Sequence, residues 1–381
     1  MKILFLIYHG FSEHSGISKK IHYQIKGLRE NGHEVHVCTY YIRKDGHRVR
    51  MIDDDIVLQD FGNGRWAAIK QRFSFKELTD YVIENGFELV YARSFHNANP
   101  ATVKMFNRFK TQGILSVIEI PTYPYDQEYA GTSSWENKIK LQLDRLYRKK
   151  LAAQVNAIVT FTNDKKIFGQ RTICISNGID YDHIPIQEKR PHPDNEVHLI
   201  GVAEVHYWHG YDRLIAGLGE YYQRPHEKDV YFHIVGGVAD SEMHDSIHAP
   251  GIHGLIEQYG IEKKVIFHGP KFGEELNVLF NQADFAIGSL ARHRSGITHI
   301  KTLKNREYAA RGIPFIYSET DEDFDRMPYI IKAKPDESPI HLMNIIEFIE
   351  NRKFEARKIR NSINHLTWKE QMKIVIDNAC I

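Results

Sequence analysis

Cysteine is scarce in this chain, charge of one sign is in no excess, and long apolar runs are missing. Cys38, Cys174 and Cys380 are the only three cysteines in 381 residues. They lie far apart, without zinc-finger or redox spacing, so a disulfide framework is excluded and a reducing compartment is expected. Fifty basic residues against 49 acidic give a formal net charge of +1, which argues against a general nucleic-acid binder. No segment approaches the roughly 20 apolar residues of a membrane span. The opening MKILFLIYHG has one lysine and a short apolar run. It lacks the longer core and small-residue cleavage site of a signal peptide, so a cytoplasmic protein is expected.

What is present is an ordinary globular composition, 42% hydrophobic and 26% charged, in a chain longer than one core usually organises. The first segment, Lys2 to Tyr8, reads as a strand. A glycine-bearing loop, a helical pattern from Ser18 to Asn31, Gly32 at the C-cap and a second β-rich run from Glu34 to Tyr40 follow. Strand, loop, helix and strand make one βαβ unit and imply a parallel sheet. The rhythm repeats through Phe87–Tyr91, Asn99–Lys110, Ile114–Ile120, a long helix over Ser134 to Gln154, Ala157–Phe161 and Thr172–Ile175.

A polar, proline-bearing stretch from Ile184 to Asp194 interrupts it and reads as a linker. Alternation then resumes with strands at His198–Val202, Val230–Val235, Val265–His268, Asp284–Gly288 and Pro314–Tyr317. Helices fall between them from Tyr211, near Ser241–Tyr259, near Glu274–Gln282 and near Thr302–Arg311. The expectation is an α/β protein of two Rossmann-like domains, residues 1–183 and 197–365, joined by 184–196 and facing each other across a cleft. The last helix, about 366–381, could pack anywhere; in two-domain proteins of this shape it often returns to the first domain.

The segment Ile175-Ser176-Asn177-Gly178-Ile179-Asp180 resembles the turn before the second domain in retaining glycosyltransferases of family 4, which have the GT-B fold. Further segments agree in order and spacing: Trp208-His209-Gly210-Tyr211-Asp212-Arg213, Phe232-His233-Ile234-Val235-Gly236-Gly237, Val265-Ile266-Phe267-His268-Gly269, Ala283-Asp284-Phe285-Ala286 and Lys304-Asn305-Arg306-Glu307-Tyr308 through Gly312-Ile313-Pro314. In the first half the likeness rests on Ser15-Gly16-Ile17 and Asn31-Gly32-His33-Glu34-Val35. The run Glu119-Ile120-Pro121-Thr122-Tyr123-Pro124 looks like a subgroup associated with bacterial surface-polysaccharide synthesis.

The resemblance implies metal-independent transfer of a sugar from a nucleotide-diphosphate donor, without a cofactor, to a glycan or lipid-linked acceptor, with retention of configuration. It places the donor mainly on the second domain. Charge builds on the leaving diphosphate, and helix N-termini and cations stabilise it. By this analogy Thr302, Leu303, Lys301 and Lys304 hold the diphosphate and Glu307 accepts from the ribose hydroxyls; a surface glutamate and a solvated lysine are the plain alternatives. Gly16 lets backbone approach the donor without a Cβ in the way.

Three departures stand out. The loop positions that hold an arginine and a lysine in the family hold Glu204 and His209 here. A carboxylate about 4 Å from a phosphate would repel it by roughly 4 kcal/mol at an effective dielectric near 20, so other cations, Lys304, Lys301 or Arg294, are expected to take over. His209 still donates a hydrogen bond, and would be cationic if the phosphates raise its pKa. His299 stands where the first of the family's paired glutamates belongs, beside the basic run Arg292-His293-Arg294-Ser295-Gly296. Glu119 stands near the place of the active-site histidine. It is a candidate to orient an acceptor hydroxyl or take its proton, or else caps the Pro121 turn; His96 is the second catalytic candidate.

No metal set is complete in the sequence: His206/His209 and His244/His248 have no carboxylate or cysteine to finish them. The basic amphipathic stretch from Asn137 to Lys150 reads as a helix packed on its own sheet, or as one resting peripherally on an anionic inner membrane surface. Two other readings stay open: a catalytically silent GT-B subunit that binds a partner or glycan, and a nucleotide-sugar epimerase.

Overall fold

The computed structural model describes residues 1–11, 16–93, 97–126, 135–238 and 251–381. Two compact units divide the chain, residues 1–178 with 366–381, and residues 179–365.

The first unit is built on a nine-stranded sheet. Its strands are β1 (Lys2–Leu6), β2 (Glu34–Ile42), β3 (Arg48–Ile52), β4 (Ile56–Asp60), β5 (Leu89–Arg93), β6 (Leu115–Ile120), β7 (Ala157–Thr160), β8 (Lys166–Ile167) and β9 (Gln170–Cys174), in the order β4-β3-β2-β1-β5-β6-β7-β9-β8. Its helices are α1 (Gly16–Glu30), α2 (Gly64–Phe73), α3 (Lys76–Glu84), α4 (Pro100–Thr111) and α5 (Trp135–Ala152). The strands from β2 through β9 in this order pair in parallel, while β3 and β4 add an antiparallel edge.

Both faces of β1 are covered, which is why its sequence is apolar without alternation. Leu4 and Leu6 pack with Leu78, Val82, Met105 and Phe106 of α3 and α4. Ile3 and Phe5 point the other way, towards Ile21, Ile25 and Leu28 of α1 and the chain's last helix. The edge elements β3, β4, α2 and α3 have no counterpart in the sequence reading; β3, with two arginines among its five residues, and β4, largely exposed, lack the apolar run that marks a covered parallel strand.

The second unit holds six parallel strands: β10 (Glu196–Val202), β11 (Asp229–Val235), β12 (Val265–Gly269), β13 (Phe285–Ile287), β14 (Phe315–Tyr317) and β15 (Ile330–Lys332). Their order, β12-β11-β10-β13-β14-β15, is that of the dinucleotide-binding fold, with a reversal between β10 and β13. Helices α6 (Tyr211–Tyr222), α7 (Ile252–Tyr259), α8 (Gly273–Gln282), α9 (Leu303–Arg311), α10 (Leu342–Glu350) and α11 (Ala356–Asn361) complete it. The helix expected from Ser241 begins at Ile252 among the described residues, and residues 239–250 lie outside them.

The stretch 184–196 is not a free linker. Gln187 donates from Nε2 to the carbonyls of Phe280 and Ala283, both at 2.6 Å. Its backbone N–H goes to Arg311 O at 2.8 Å, and that of Arg190 to Asn281 O at 2.7 Å. A polar, proline-bearing sequence looks like a linker because it cannot join a ladder. Here it serves the orphan carbonyls at the end of α8 instead.

The last helix, α12 (Trp368–Ala379), lies in the first unit. Trp368 presses on the Asn177-Gly178 turn so closely that a Cβ at Gly178 would stand 2.3 Å from its ring.

Candidate functional site

In open α/β sheets ligands bind outside the carboxyl ends of strands at the point where strand order reverses. In the second unit that point lies past the ends of β10 and β13. The two loops are stitched together, with Leu290 N–H donating to His209 O at 2.8 Å and Ala291 N–H to Trp208 O at 3.3 Å. Gly210 makes this approach possible: its φ is +64°, and a Cβ there would lie 2.8 Å from that of Ala291. Gly236 closes the neighbouring loop, at φ +125° and with room for no Cβ against Ala203 O.

Five buried polar atoms without hydrogen-bond partners among the described residues collect here: Ser289 Oγ, Arg292 Nε, Lys304 Nζ, Asn305 Oδ1 and Glu319 Oε2. Native proteins leave few such atoms, and a group of them marks a place for a polar ligand. Arg292 follows β13, Glu319 follows β14, and Lys304 and Asn305 are in the first turn of α9. The N-cap of α9 is Thr302, yet its side chain caps no helix N–H. Its hydroxyl is 3.4 Å from Glu319 Oε1, which also accepts from Asn305 Nδ2 at 3.2 Å. The first-turn amides of α9 therefore have no side-chain cap, and Leu303 beside them is exposed.

Burial pushes the Lys304 ammonium down to about 7, with help from Arg292 and against Glu319. Burial likewise lowers Arg292 and raises Glu319. This is a desolvated corner richer in cations than in anions, with helix amides alongside. His209 belongs to it too. Its Nδ1 accepts the His206 N–H at 2.9 Å, so its proton sits on Nε2. Burial, Lys304 and Arg292 hold its pKa down to about 2, so the ring among these protein groups is a neutral donor. Glu204 is exposed, its carboxylate in water rather than among the buried cations.

Arg294, a donor-binding candidate of the sequence reading, is already paired. Its guanidinium reaches both oxygens of Asp212 at 3.0 and 2.7 Å, Tyr207 O at 2.9 Å, and Glu337. Burial would lower its pKa, but these two carboxylates raise it. A cation already neutralised twice is a clamp on the loop, not a receptor for a diphosphate. Lys301 is half-buried ahead of the cap. Glu307, three residues after Lys304 and so on the same face of α9, accepts from Arg311 Nε at 3.0 Å and Nη2 at 2.9 Å, both on Oε1. The sequence reading quoted Arg292 within its basic run but chose Arg294, and it passed over Glu319. The usable signal was position, since both missed residues follow the carboxyl end of a parallel strand.

In the first unit the reversal lies between β1 and β5. Glu119, on β6, is wholly buried. It accepts from Tyr91 Oη at 2.5 Å and Gln24 Nε2 at 2.6 Å, with Lys20 Nζ at 3.9 Å and Arg93 Nε at 3.8 Å. Burial alone would raise its pKa, but Lys20 and Arg93 outweigh it and the carboxyl is held below its ordinary value. An ionised carboxylate so engaged is a poor base. It positions Arg93, whose buried Nη1 has no partner among the described residues. Its side chain is spent on Gln24 of α1 and Tyr91 of β5 rather than on the Pro121 turn, the cap that the sequence reading kept as the alternative. Gly16 opens α1. His96 lies outside the described residues, as do His244 and His248.

No family model matches the chain, and no curated protein matches it. Solved structures do. A glycosyltransferase from Rickettsia africae ESF-5 aligns over 99% of this chain and 97% of its own, with TM-score 0.63 and 13% identity. Sucrose-phosphate synthase from Thermosynechococcus elongatus aligns over 99% and 97%, with TM-score 0.61 and 15% identity. A trehalose-6-phosphate protein from E. coli, bound with UDP-2-fluoro glucose, aligns over 100% and 99%, with TM-score 0.57 and 12% identity. At such identities the likeness is one of fold, and the fold is GT-B.

Proposed function

We propose that this chain is a glycosyltransferase whose second unit binds a nucleotide-diphosphate sugar and whose first unit takes a glycan or lipid-linked acceptor. The observation that carries the reading is the group of unpartnered buried polar atoms around the uncapped start of α9. A diphosphate would satisfy Arg292 and Lys304 and accept from the first-turn amides. These groups would meet the charge that grows on the leaving diphosphate. One preorganised donor of this kind is worth about 10²–10³ in rate. Arg292 and Lys304 thus take the work of the arginine and lysine replaced by Glu204 and His209, and no metal is needed for it.

His209 contributes its Nε2–H as a neutral donor, and Glu307 offers Oε2 to the ribose. In the first unit Glu119 fixes Arg93 and Lys20, Gly16 opens α1, and His96 remains a catalytic candidate from the sequence alone. Retention of configuration, family 4 membership and a role in surface-polysaccharide assembly belong to this proposal through the sequence resemblance. The E. coli structure with its bound UDP-2-fluoro glucose supports a donor of the same class.

Peripheral contact with the inner membrane surface is part of the proposal. Among the described residues no helix is long and apolar enough to cross a membrane. Helix α5, however, exposes Ile139 and Leu146 on the outward side that also carries Lys138, Arg145 and Lys149, the composition of an interfacial helix.

The test is a thermal-shift screen with UDP, GDP, ADP, CMP and their sugar conjugates, followed by transfer assays with the nucleotide that binds. Saturating ligand at a hundredfold excess over Kd adds about 2.7 kcal/mol. A shift with one diphosphate and acceptor-dependent release of it are expected. Conversion of the donor without acceptor would mark an epimerase. A folded sample that binds none of them would mark a silent subunit.

A further inference from the structure

We propose that His192, Glu196 and His198 form a binding site for one divalent transition-metal ion, zinc first, at the amino end of the second unit's sheet. One ligand atom from each lies within 4.8 Å of the others, and the three side chains are about a fifth exposed. Glu196 and His198 are two apart on β10, so both project from the same face of the strand. Their Oε2 and Nε2 atoms are 3.2 Å apart. Zinc ligands about 2.0–2.1 Å from the ion in a tetrahedron sit roughly 3.3 Å from one another, so this pair is already spaced for an ion. His192 arrives from the turn before β10, held by Glu196 N–H to Pro193 O at 2.9 Å. It needs to move in by roughly 1.5 Å to complete the set, and that turn is exposed.

The outer groups are what a metal site needs. His198 Nδ1 is hydrogen-bonded to His233 Nε2 at 2.9 Å, and its ring stacks on Tyr231, which leaves Nε2 towards the cluster. His192 Nε2 meets Asp284 Oδ1 at 3.0 Å, and Asp284 Oδ2 accepts the His198 backbone N–H at 2.8 Å. A carboxylate behind a histidine fixes the ring and raises its basicity as a ligand. With Nε2 so engaged, Nδ1 of His192 is the ligating atom; its present contact is Pro193 O at 3.2 Å. Lys189, also on Asp284 at 2.6 Å, has a largely exposed side chain that is free to withdraw.

Two imidazoles and one carboxylate suit zinc, copper or nickel and not magnesium or calcium, which take oxygen shells. Water would hold the fourth position. The donor corner lies past the other end of β10, so the ion pins the 189–195 approach to the sheet and takes no part in transfer. The sequence reading looked for histidine pairs completed by cysteine or carboxylate and passed over this one, although its three ligands lie within seven residues; Asp284 and the ring orientations belong to the tertiary structure.

The test is calorimetric titration of zinc into chelator-treated full-length protein, with cobalt as a spectroscopic probe. One saturable equivalent, a raised Tm and visible d–d bands of tetrahedral cobalt are expected. His192→Ala and Glu196→Gln, both at partly exposed positions, should each weaken that binding at least tenfold, and the double variant should abolish it while keeping the metal-free Tm. Absence of saturable binding in the parent, or an unchanged equivalent in the double variant, would overturn the proposal.

Discussion

Arg292 and Arg294 stand two residues apart on one turn after β13, and of the two Arg294 alone forms ion pairs among the described residues. Asp212 and Glu337 grip Arg294 from two sides. Arg292 keeps a buried Nε without a partner and lies 5.7 Å from the centre of the Trp208 ring. The first variants to make follow from this contrast. Charge-assisted hydrogen bonds contribute about 1.5–3 kcal/mol each, so Arg292→Gln and Lys304→Met should each weaken diphosphate binding about tenfold to a hundredfold. Arg294→Gln should lower Tm and leave affinity within a few-fold. Calorimetry and thermal melts on the three variants separate the two roles, and equal affinity loss in Arg294→Gln would refute the assignment.

Lys304 makes binding pH-dependent, and the sign is fixed by its lowered pKa of about 7. Above that value the free protein holds Lys304 largely neutral, whereas a bound diphosphate favours the ammonium. Binding then takes up a proton and weakens as pH rises, by up to tenfold per unit. A nucleotide sugar is the right probe, since its diphosphate does not titrate near neutrality. Calorimetry at pH 8 in buffers of different ionisation enthalpy should show proton uptake in the parent and none in Lys304→Met.

Glu119 should matter for stability more than for proton transfer. Removing one partner of a buried ionic group costs about 3–5 kcal/mol, so Glu119→Gln should lose on that order in urea unfolding by leaving Lys20 and Arg93 unbalanced. Its folded pKa is depressed, so its contribution is complete above the unfolded value near 4.3 and is lost as pH falls through the lower folded value. The gap between parent and variant should therefore narrow in acid. A constant gap down to pH 2 would contradict the ionised state.

Gly178 should tolerate no side chain. A Cβ there meets three Trp368 ring carbons within 2.8 Å. Overpacking of this kind costs about 1–3 kcal/mol, so Gly178→Ala should lower stability by that amount in urea unfolding. Trp368→Leu in the same background should restore part of it.

The membrane contact is tested by sedimentation with anionic liposomes at low salt. Each lysine near such a surface contributes about 1 kcal/mol. Reversing the exposed Lys138, Lys149 and Lys150 of α5 should cut binding about a hundredfold. No sedimentation of the parent would end the membrane part of the proposal.

The sequence by itself determined the fold class, α/β with Rossmann-like parallel sheets. Covered parallel strands such as Lys2–Leu6 are short apolar runs, and runs of that kind show locally. Trp208-His209-Gly210 was legible for a similar reason, because Gly210 answers to a backbone need. Only the tertiary structure decided that Arg294 is neutralised while Arg292 Nε has no hydrogen-bond partner among the described residues, since Asp212 and Glu337 come from elements remote in sequence. It also decided that 184–196 serves α8, that Glu119 is spent on Lys20 and Arg93, and that Glu319 joins the corner. Charge and burial depend on what the rest of the chain brings alongside, and no local pattern records that.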